Sequence, residues 1–373
     1  MDLIKYIIKT SVAIAISAAM ATPAEEKNNI NKTENETTIR VLLMTTGYGG
    51  YFHERADYVE NEEEGTFQVL SIERSYGNPV YHGTLEVQET DQGYLLINEV
   101  SMEDYIKGVV PSEMPASYEE EALKAQAVCA RTYAYRQMQE GRLQSYGADV
   151  DDSVSFQVYN NQKGTEKTDQ AVTDTAGMIM TYENEPIEAY FFSTSSGTTS
   201  TDEVWCEETA PCLKSIVTDF DADMPWYRWQ VTFSAEKIEE LLMQNGYEIG
   251  KIENIDIIRK SQGGAATLCE FQGSEGSVQI ENEYTIRSLL SPEGLEIVRQ
   301  DGSVVTNFHI LPSAYFSCEA VTEEDQLTGF TFYRGGYGHG VGISQNGANE
   351  MAKQGYAWLD ILNYYFEDFK IEK

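Results

Sequence analysis

The sequence predicts an α+β fold: mixed, mainly antiparallel strands with a few packed helices, forming one large unit, with one lobe or two both left open. Three observations carry this. Short runs rich in Val, Ile, Leu and Tyr, broken by Gly, Asn and Asp turns, begin at residue 39. One long stretch without Gly or Pro, Ser117 to Glu140, interrupts them. Strands are then grouped apart from the remaining helices rather than alternating with them, which argues against a doubly wound parallel sheet.

The elements follow in order. Ile39 to Thr45, Thr66 to Ile72, Pro79 to Val87 and Gly93 to Val100 read as strands, and the acidic run Glu60 to Glu64 reads as a solvated loop. Ser117 with Glu120 three residues on predicts a capping box that opens a helix to about Glu140. Its many alanines predict close packing on several sides. Gly177 to Thr181 and Pro186 to Ser193 read as a hairpin and Ala235 to Asn245 as an amphipathic helix. Lys251 to Lys260, Thr267 to Phe271, Ser277 to Ile280, Ala314 to Ala320 and Leu327 to Tyr333 read as strands. Helices at about 345–354 and 358–366 close the chain, and no repeat of 20 to 50 residues is visible.

The 373 residues correspond to about two domains or one large one at roughly 100–200 residues per domain. With 26 Lys and Arg against 61 Asp and Glu, a net charge of −35 would repel a phosphate backbone, so nucleic acid is excluded as a partner. Residues 1–24 read as a signal peptide or N-terminal membrane anchor: Lys5 and Lys9 precede an uncharged run from Ser11, and Ala19-Met20-Ala21 fits a cleavage pattern. Ile7 to Ala21 is shorter than the ~20 apolar residues of a spanning helix, so anchor and cleaved leader both stay open. Residues 25–38 form a polar linker and 39–373 the folded unit, expected outside the cytoplasm on the cell membrane, or secreted if the leader is removed.

Five cysteines are an odd number for an exported chain, so at least one is unpaired. Cys206 and Cys212 are the only close pair. Their spacing suits a small disulfide loop or free thiols, and half of a zinc site only if further ligands converge from elsewhere.

Two segments stand out chemically. In Val110-Pro111-Ser112-Glu113-Met114-Pro115 one carboxylate sits between two prolines, which predicts a stiff, partly apolar loop. Desolvation there would raise the pKa of Glu113 toward neutrality, as a general acid needs, although a surface Glu in a turn has the same local sequence. Gly335-Gly336-Tyr337-Gly338-His339-Gly340-Val341-Gly342-Ile343-Ser344-Gln345 predicts an extended ribbon with one bare glycine face, followed by an N-cap at Ser344. It contains no G-x-G-x-x-G. The chain also lacks a Walker motif, H-E-x-x-H and G-x-S-x-G, and its four His are scattered. Ser193, Ser195 and Ser196 read as a polar turn with a hydrogen-bonding role rather than a nucleophile.

Several ordered motifs together resemble the stage II sporulation protein D family: Val100 to Pro115, Glu121 to Ala134, Ser155-Phe156-Gln157-Val158-Tyr159, and Gly338 to Ala348. The resemblance covers most of 39–373. It implies a membrane-anchored lytic transglycosylase that cuts peptidoglycan glycan strands during engulfment in spore formation. The substrate would be strands stripped of stem peptides, and the partners the amidase stage II sporulation protein P and stage II sporulation protein M.

The resemblance also assigns residues. The family's essential glutamate maps onto Glu113 and conserved basic positions onto Lys124 and Arg131, the latter equally compatible with a buried ion pair. Relatives commonly carry His-Ser-Thr-Ser-Gly-Gly where this chain has Phe192-Ser193-Thr194-Ser195-Ser196-Gly197, which removes a candidate zinc ligand near Cys206 and Cys212. The implied chemistry needs no cofactor. Glu113 would protonate the bond between N-acetylmuramic acid and N-acetylglucosamine, and the muramic C6 hydroxyl would close on C1 to leave a 1,6-anhydro end. Gln157, Ser195, His339, Ser344 and Gln345 would hydrogen-bond the sugars, with Tyr133, Tyr159 and Tyr337 as stacking or packing faces. The amidase-enhancer branch of the family implies an alternative, a non-catalytic module that binds glycan.

Overall fold

A strand at Thr38–Leu43 organises the first half of the chain, pairing antiparallel with Gly93–Ser101 and parallel with Val150–Asp151. Thr84–Thr90 adds the outer edge, giving a four-stranded sheet. The computed structural model describes residues 37–61, 65–206 and 208–373. The expected export segment 1–24 and nearly all of the linker 25–38 lie outside them.

Seven helices occur among the described residues: α1 Met102–Glu113, α2 Glu120–Glu140, α3 Glu166–Asp174, α4 Ala235–Gln244, α5 Glu283–Leu289, α6 Gln345–Lys353 and α7 Trp358–Tyr365. The first corrects the sequence reading, because Glu113 is the last residue of a helix and not part of a loop. Ser101 caps α1 by accepting from the Asp104 N–H at 3.1 Å, and Glu103 and Asp104 lie where the helix dipole favours negative charge. Pro111 falls in the final turn, where it forgoes only the bond to the Lys107 carbonyl. Pro115 then holds Met114 extended and ends the helix.

The capping box expected at Ser117 does not form. The N-cap of α2 is Glu119, whose backbone N–H donates to Asn349 Oδ1 at 2.8 Å, so a tertiary partner displaces the local one. The alanines act as predicted: Ala122, Ala125, Ala127, Ala130 and Ala134 are fully buried, and α2 packs against α1, α3, α6 and α7.

The expected hairpin is split. Ile179–Tyr182 pairs with Glu185–Pro186, but Phe191–Phe192 leaves to pair in parallel with Ile343–Ser344. Between these two partners the chain builds a second lobe with its own hydrophobic core. Trp229–Ser234 pairs with Gln326–Arg334 inside a five-stranded antiparallel sheet, backed by the meander Ile252–Lys260, Ala266–Gly273 and Gly276–Glu281. The C-terminal stretch then returns to the first core through Val341, Ile343, Met351, Leu362 and Phe366.

An ion pair fixes α1 against α2. Arg131 is fully buried, and its Nε and Nη2 each lie 2.8 Å from the two carboxylate oxygens of Glu103, with Nη1 donating to the Met178 carbonyl at 3.1 Å. Lys124 lies 2.6, 3.1 and 3.0 Å from Glu120, Glu121 and Asp174, tying α2 to α3 nearer the surface. Arg131→Leu should therefore lower the unfolding free energy in urea by about 3 kcal/mol or more, because Glu103 would be left without its cation. Lys124→Ala should cost less than about 1 kcal/mol. Equal losses in the two variants would contradict the buried role of Arg131.

Candidate functional site

Glu113 ends α1 half-buried, with Oε1 accepting from the Val158 N–H at 2.7 Å. The neighbouring Ser112 Oγ accepts from the N–H groups of Asn161 and Gln162 at 3.0 and 3.2 Å, so the 158–162 segment is laid across the last turn of the helix. Burial pushes the Glu113 carboxyl up to about 7, while the Val158 N–H and the Gln345 side chain oppose the rise. A carboxyl so poised exchanges a proton near neutral pH.

Gln345, the first residue of α6, is buried with its side-chain amide against the Glu113 carboxylate. Gln157 is fully buried: Nε2 donates to the Ala130 carbonyl at 3.2 Å, and Oε1 is unpartnered. A polar depression of about 230 Å³ is lined by Tyr133, Gln137, Glu140, Arg142, Ser155, Tyr190 and Trp205.

The other expected site residues are placed differently. Ser195 and Ser344 both donate their hydroxyls to Asp221, at 2.8 and 2.5 Å, and the Ser195 N–H adds a third bond at 3.1 Å. All three residues are buried, so the serine hydroxyls are occupied by the protein instead of being offered to a sugar. Ser344 also caps α6 by accepting from the Gly347 N–H at 3.2 Å, as its position predicted. Tyr159 is a core residue: its hydroxyl donates to Asn98 Oδ1 at 2.9 Å, and its ring lies 4.9 Å from Tyr105. Tyr337 stacks on Trp226 at 4.9 Å, at the edge of the second lobe. Lys124 and Arg131 are held in the ion pairs described above.

The glycine segment is not an extended ribbon. Gly336, Gly338, Gly340 and Gly342 have φ of 90°, 107°, 79° and 75°, a left-handed conformation that side chains oppose. The turns press the chain onto its neighbours: a Cβ at Gly342 would lie 2.0 Å from the Tyr190 carbonyl oxygen, and one at Gly340 would lie 2.3 Å from the Tyr315 ring. His339 projects into an aromatic cage of Tyr190, Phe192 and Trp205, with ring centroids 6.2, 5.7 and 5.3 Å away. Burial, then the positive charge of Arg287, lowers its pKa to about 3, so the ring is neutral, and Nδ1 accepts from the Val341 N–H at 3.1 Å.

Zinc does not fit the cysteine pair. Cys206 and Cys212 are free thiols, Phe192 supplies no donor, and among the described residues no group of three or more His, Cys, Asp or Glu could hold a metal. Burial raises both thiol pKa values, that of Cys212 to about 11, which disfavours the thiolate that a metal needs.

Two features escaped the sequence reading. Asp221 carries no local signal, since its importance arises from donors more than 20 residues away on both sides. Tyr48 lies in Thr45-Thr46-Gly47-Tyr48-Gly49-Gly50 with an unusual φ of 57°, stacked at 4.5 Å on Arg74, which is itself ion-paired with Asp152 at 2.5 Å. The Tyr48 hydroxyl is buried without a partner. Burial pushes its pKa up to about 12, and the Glu113 carboxylate adds to the rise. A Tyr between glycines was the available signal.

Comparison with known proteins bears on this arrangement. A family model described as "Stage II sporulation protein" matches residues 90–182, the stretch that carries Glu113, α2 and Gln157. A second, described as a domain of unknown function, matches residues 193–342. Stage II sporulation protein D of Bacillus subtilis (strain 168) is 35% identical over 291 residues, covering 74% of this chain and 76% of that one. The protein of the same name from Bacillus amyloliquefaciens is 31% identical with the same coverage. An amidase enhancer of Bacillus subtilis (strain 168) is 28% identical over 70% of this chain and 39% of its own length.

The Asp221 cage makes stability depend on pH. Burial raises the carboxyl from 3.8 to about 6 against the opposing hydroxyl and N–H donors. The folded state thus holds this proton more tightly than the unfolded one, and the resulting stabilisation is complete below about pH 4 and lost as pH rises through about 6. In Asp221→Asn the decline in thermal midpoint between those pH values should be shallower than in the wild type. An identical pH dependence would contradict the raised pKa.

Proposed function

The chain belongs to the stage II sporulation protein D family, and from that membership we propose that it is a lytic transglycosylase acting on the glycan strands of peptidoglycan. The observation that carries the reading is Glu113: a carboxyl held near pKa 7 at a helix end, partly open to solvent, with one backbone donor on Oε1. Its protonated form donates to the glycosidic oxygen between N-acetylmuramic acid and N-acetylglucosamine. The C1–O bond breaks, positive charge develops at C1, and the carboxylate left behind is stabilised by the Val158 N–H. The same carboxylate takes the proton of the muramic C6 hydroxyl as that oxygen bonds to C1. The products are a free N-acetylglucosamine hydroxyl and a 1,6-anhydro end.

This route needs one carboxyl group where hydrolysis of a glycoside ordinarily uses two. The Gln345 amide, held against the Glu113 carboxylate, would orient that carboxyl group toward the glycosidic oxygen. The protein would act in septal wall remodelling during engulfment, on strands from which an amidase such as stage II sporulation protein P has removed the peptides, with stage II sporulation protein M as a membrane partner. Residues 1–24 would place it outside the cytoplasm, anchored or released.

A second reading is favoured by the likeness to an amidase enhancer. In it the chain binds glycan and stimulates an amidase without cutting.

Mass spectrometry of products from intact and amidase-treated peptidoglycan separates the two. Ends lighter by one water, about 18 Da, than reducing ends should appear with the wild type and disappear with Glu113→Gln, glycan binding being kept. Retained cleavage in Glu113→Gln would rule out the assigned acid, and binding without cleavage by the wild type would favour the enhancer. Because the acid form is needed, kcat/KM should be level below about pH 7 and fall about tenfold per unit above it. A rate that rises through pH 8 would contradict Glu113 as the proton donor.

A further inference from the structure

The second lobe carries an open concavity of about 520 Å³ lined by Arg228, Arg299, Arg334, Gln230, Gln300 and Tyr333, among others. Its arginines differ from the rest. Every other arginine of the chain lies within ion-pair distance of an Asp or Glu, as the excess of 61 acidic over 26 basic residues leads one to expect. Among the described residues, Arg228, Arg299 and Arg334 are the arginines without a carboxylate partner, and all three line this one hollow.

They are also held in place. Arg228 stacks on Tyr227 at 3.9 Å and donates through Nη1 to the Ser196 carbonyl at 2.9 Å. Arg299 lies over Trp226 at 5.1 Å, with Nε donating to Ser303 Oγ at 2.8 Å, which leaves its outer nitrogens open. Arg334 packs across Gly264, where an added Cβ would stand 3.0 Å from Nη1. Guanidinium forks fixed on one side and open on the other are arranged for planar anions. Positive charge left unneutralised in so acidic a chain also concentrates anions that the rest of the surface repels.

The hollow adjoins the glycine segment that leads to Gln345. Arg334 leads directly into Gly335-Gly336-Tyr337, Trp229 Nε1 donates to the Gly336 carbonyl at 2.9 Å, and Gly336 N–H donates to the Trp226 carbonyl at 2.8 Å. We propose that this concavity is an anion subsite for the carboxylates carried by the glycan, the lactyl or residual peptide carboxylates of muramic acid residues at some distance from the bond that Glu113 cleaves. The subsite rests on the transglycosylase reading for its ligand. The amide side chains of Gln230 and Gln300 in the same lining suit a carboxylated, acetamido-bearing sugar chain and distinguish it from a bare cluster of charge. Its function is to hold an acidic strand on a protein of like net charge, so that successive sugars register against Glu113.

The test uses the chain with Glu113→Gln, so that no strand is cut, and measures binding by calorimetry. Probes are amidase-stripped glycan strands, the same strands with their carboxylates converted to amides, neutral chito-oligosaccharides, and poly(glycerol phosphate). Adding Arg299→Gln and Arg334→Gln together should weaken binding of the carboxylated strands about tenfold or more. The amidated strands and the neutral oligosaccharide should bind equally with and without these changes. Arg299→Lys with Arg334→Lys, which keeps charge but not the fork, should fall between, and an unchanged thermal midpoint shows that each variant is folded. Equal binding of carboxylated strands before and after the Gln substitutions would overturn the proposal, as would equal binding of carboxylated and amidated strands. Arginine-dependent binding of poly(glycerol phosphate) alone would overturn it in favour of a phosphodiester ligand. Failure of the wild type to cut glycan would defeat the transglycosylase reading while leaving this binding result to stand, whereas cleavage with arginine-independent binding would defeat the subsite alone.

Discussion

A single buried carboxylate, Asp221, holds together the parts of the chain on which the candidate site depends. It gathers the hydroxyls of Ser195 and Ser344 and the Ser195 N–H, so it joins the turn after Phe191–Phe192 to the start of α6. The second lobe is inserted between those two segments, and the cage adds buried side-chain bonds to the parallel pairing and to the Asn346 bonds with Ser193 and Thr194 that keep the leaving and re-entering chain in register. Gln345 follows Ser344 directly, so its place beside Glu113 is a consequence of this cage. The glycines serve the same end, since left-handed turns at alternate positions let the backbone close against the Tyr190 carbonyl and the Tyr315 ring where a side chain would not fit.

Two carboxyl groups with similarly raised pKa values, Asp221 near 6 and Glu113 near 7, have different capacities because of their surroundings. Asp221 is enclosed and nearly saturated with donors, so it has little left to offer a ligand. Glu113 has a backbone donor on one oxygen and keeps partial access to solvent. Burial sets the proton affinity in both, and the number of remaining hydrogen-bond sites decides which of them can exchange a proton with something outside the protein. A like contrast separates the arginines: Arg131 and Arg287 are committed to buried pairs with Glu103 and Glu283, whereas those of the second-lobe hollow are not.

The site was only partly legible before folding. Glu113 was visible as a lone carboxylate between prolines, but the reading of its backbone failed because proline at the end of a helix costs one hydrogen bond and proline in the middle costs much more. The cap at Ser101, the last residue of the strand that precedes the helix, was the overlooked sign. Ser344 was correctly read as an N-cap and Gln345 as the first residue of a helix, since capping is local chemistry. The roles expected for Ser195, Tyr159 and Arg131 were not legible, because a hydroxyl, a ring or a guanidinium has the same sequence signature whether its partner is a ligand or a distant part of the same chain.

By itself the sequence determined the fold class, most of the strands, the small-residue character of α2 and the family to which the chain belongs. These depend on periodicity, on turn and cap residues, and on ordered motifs, all of which act over a few residues. Tertiary structure alone decided that the second lobe is an insertion with its own core, that the glycine segment is a series of left-handed turns, and that Asp221 organises the serines. It alone brought Arg228, Arg299 and Arg334 to one hollow from positions as many as 106 residues apart. The reason is physical: a buried charge or an unpaired polar atom takes its energy from whatever the fold places within a few ångströms, and that set of neighbours is assembled from long-range pairings that no local window contains.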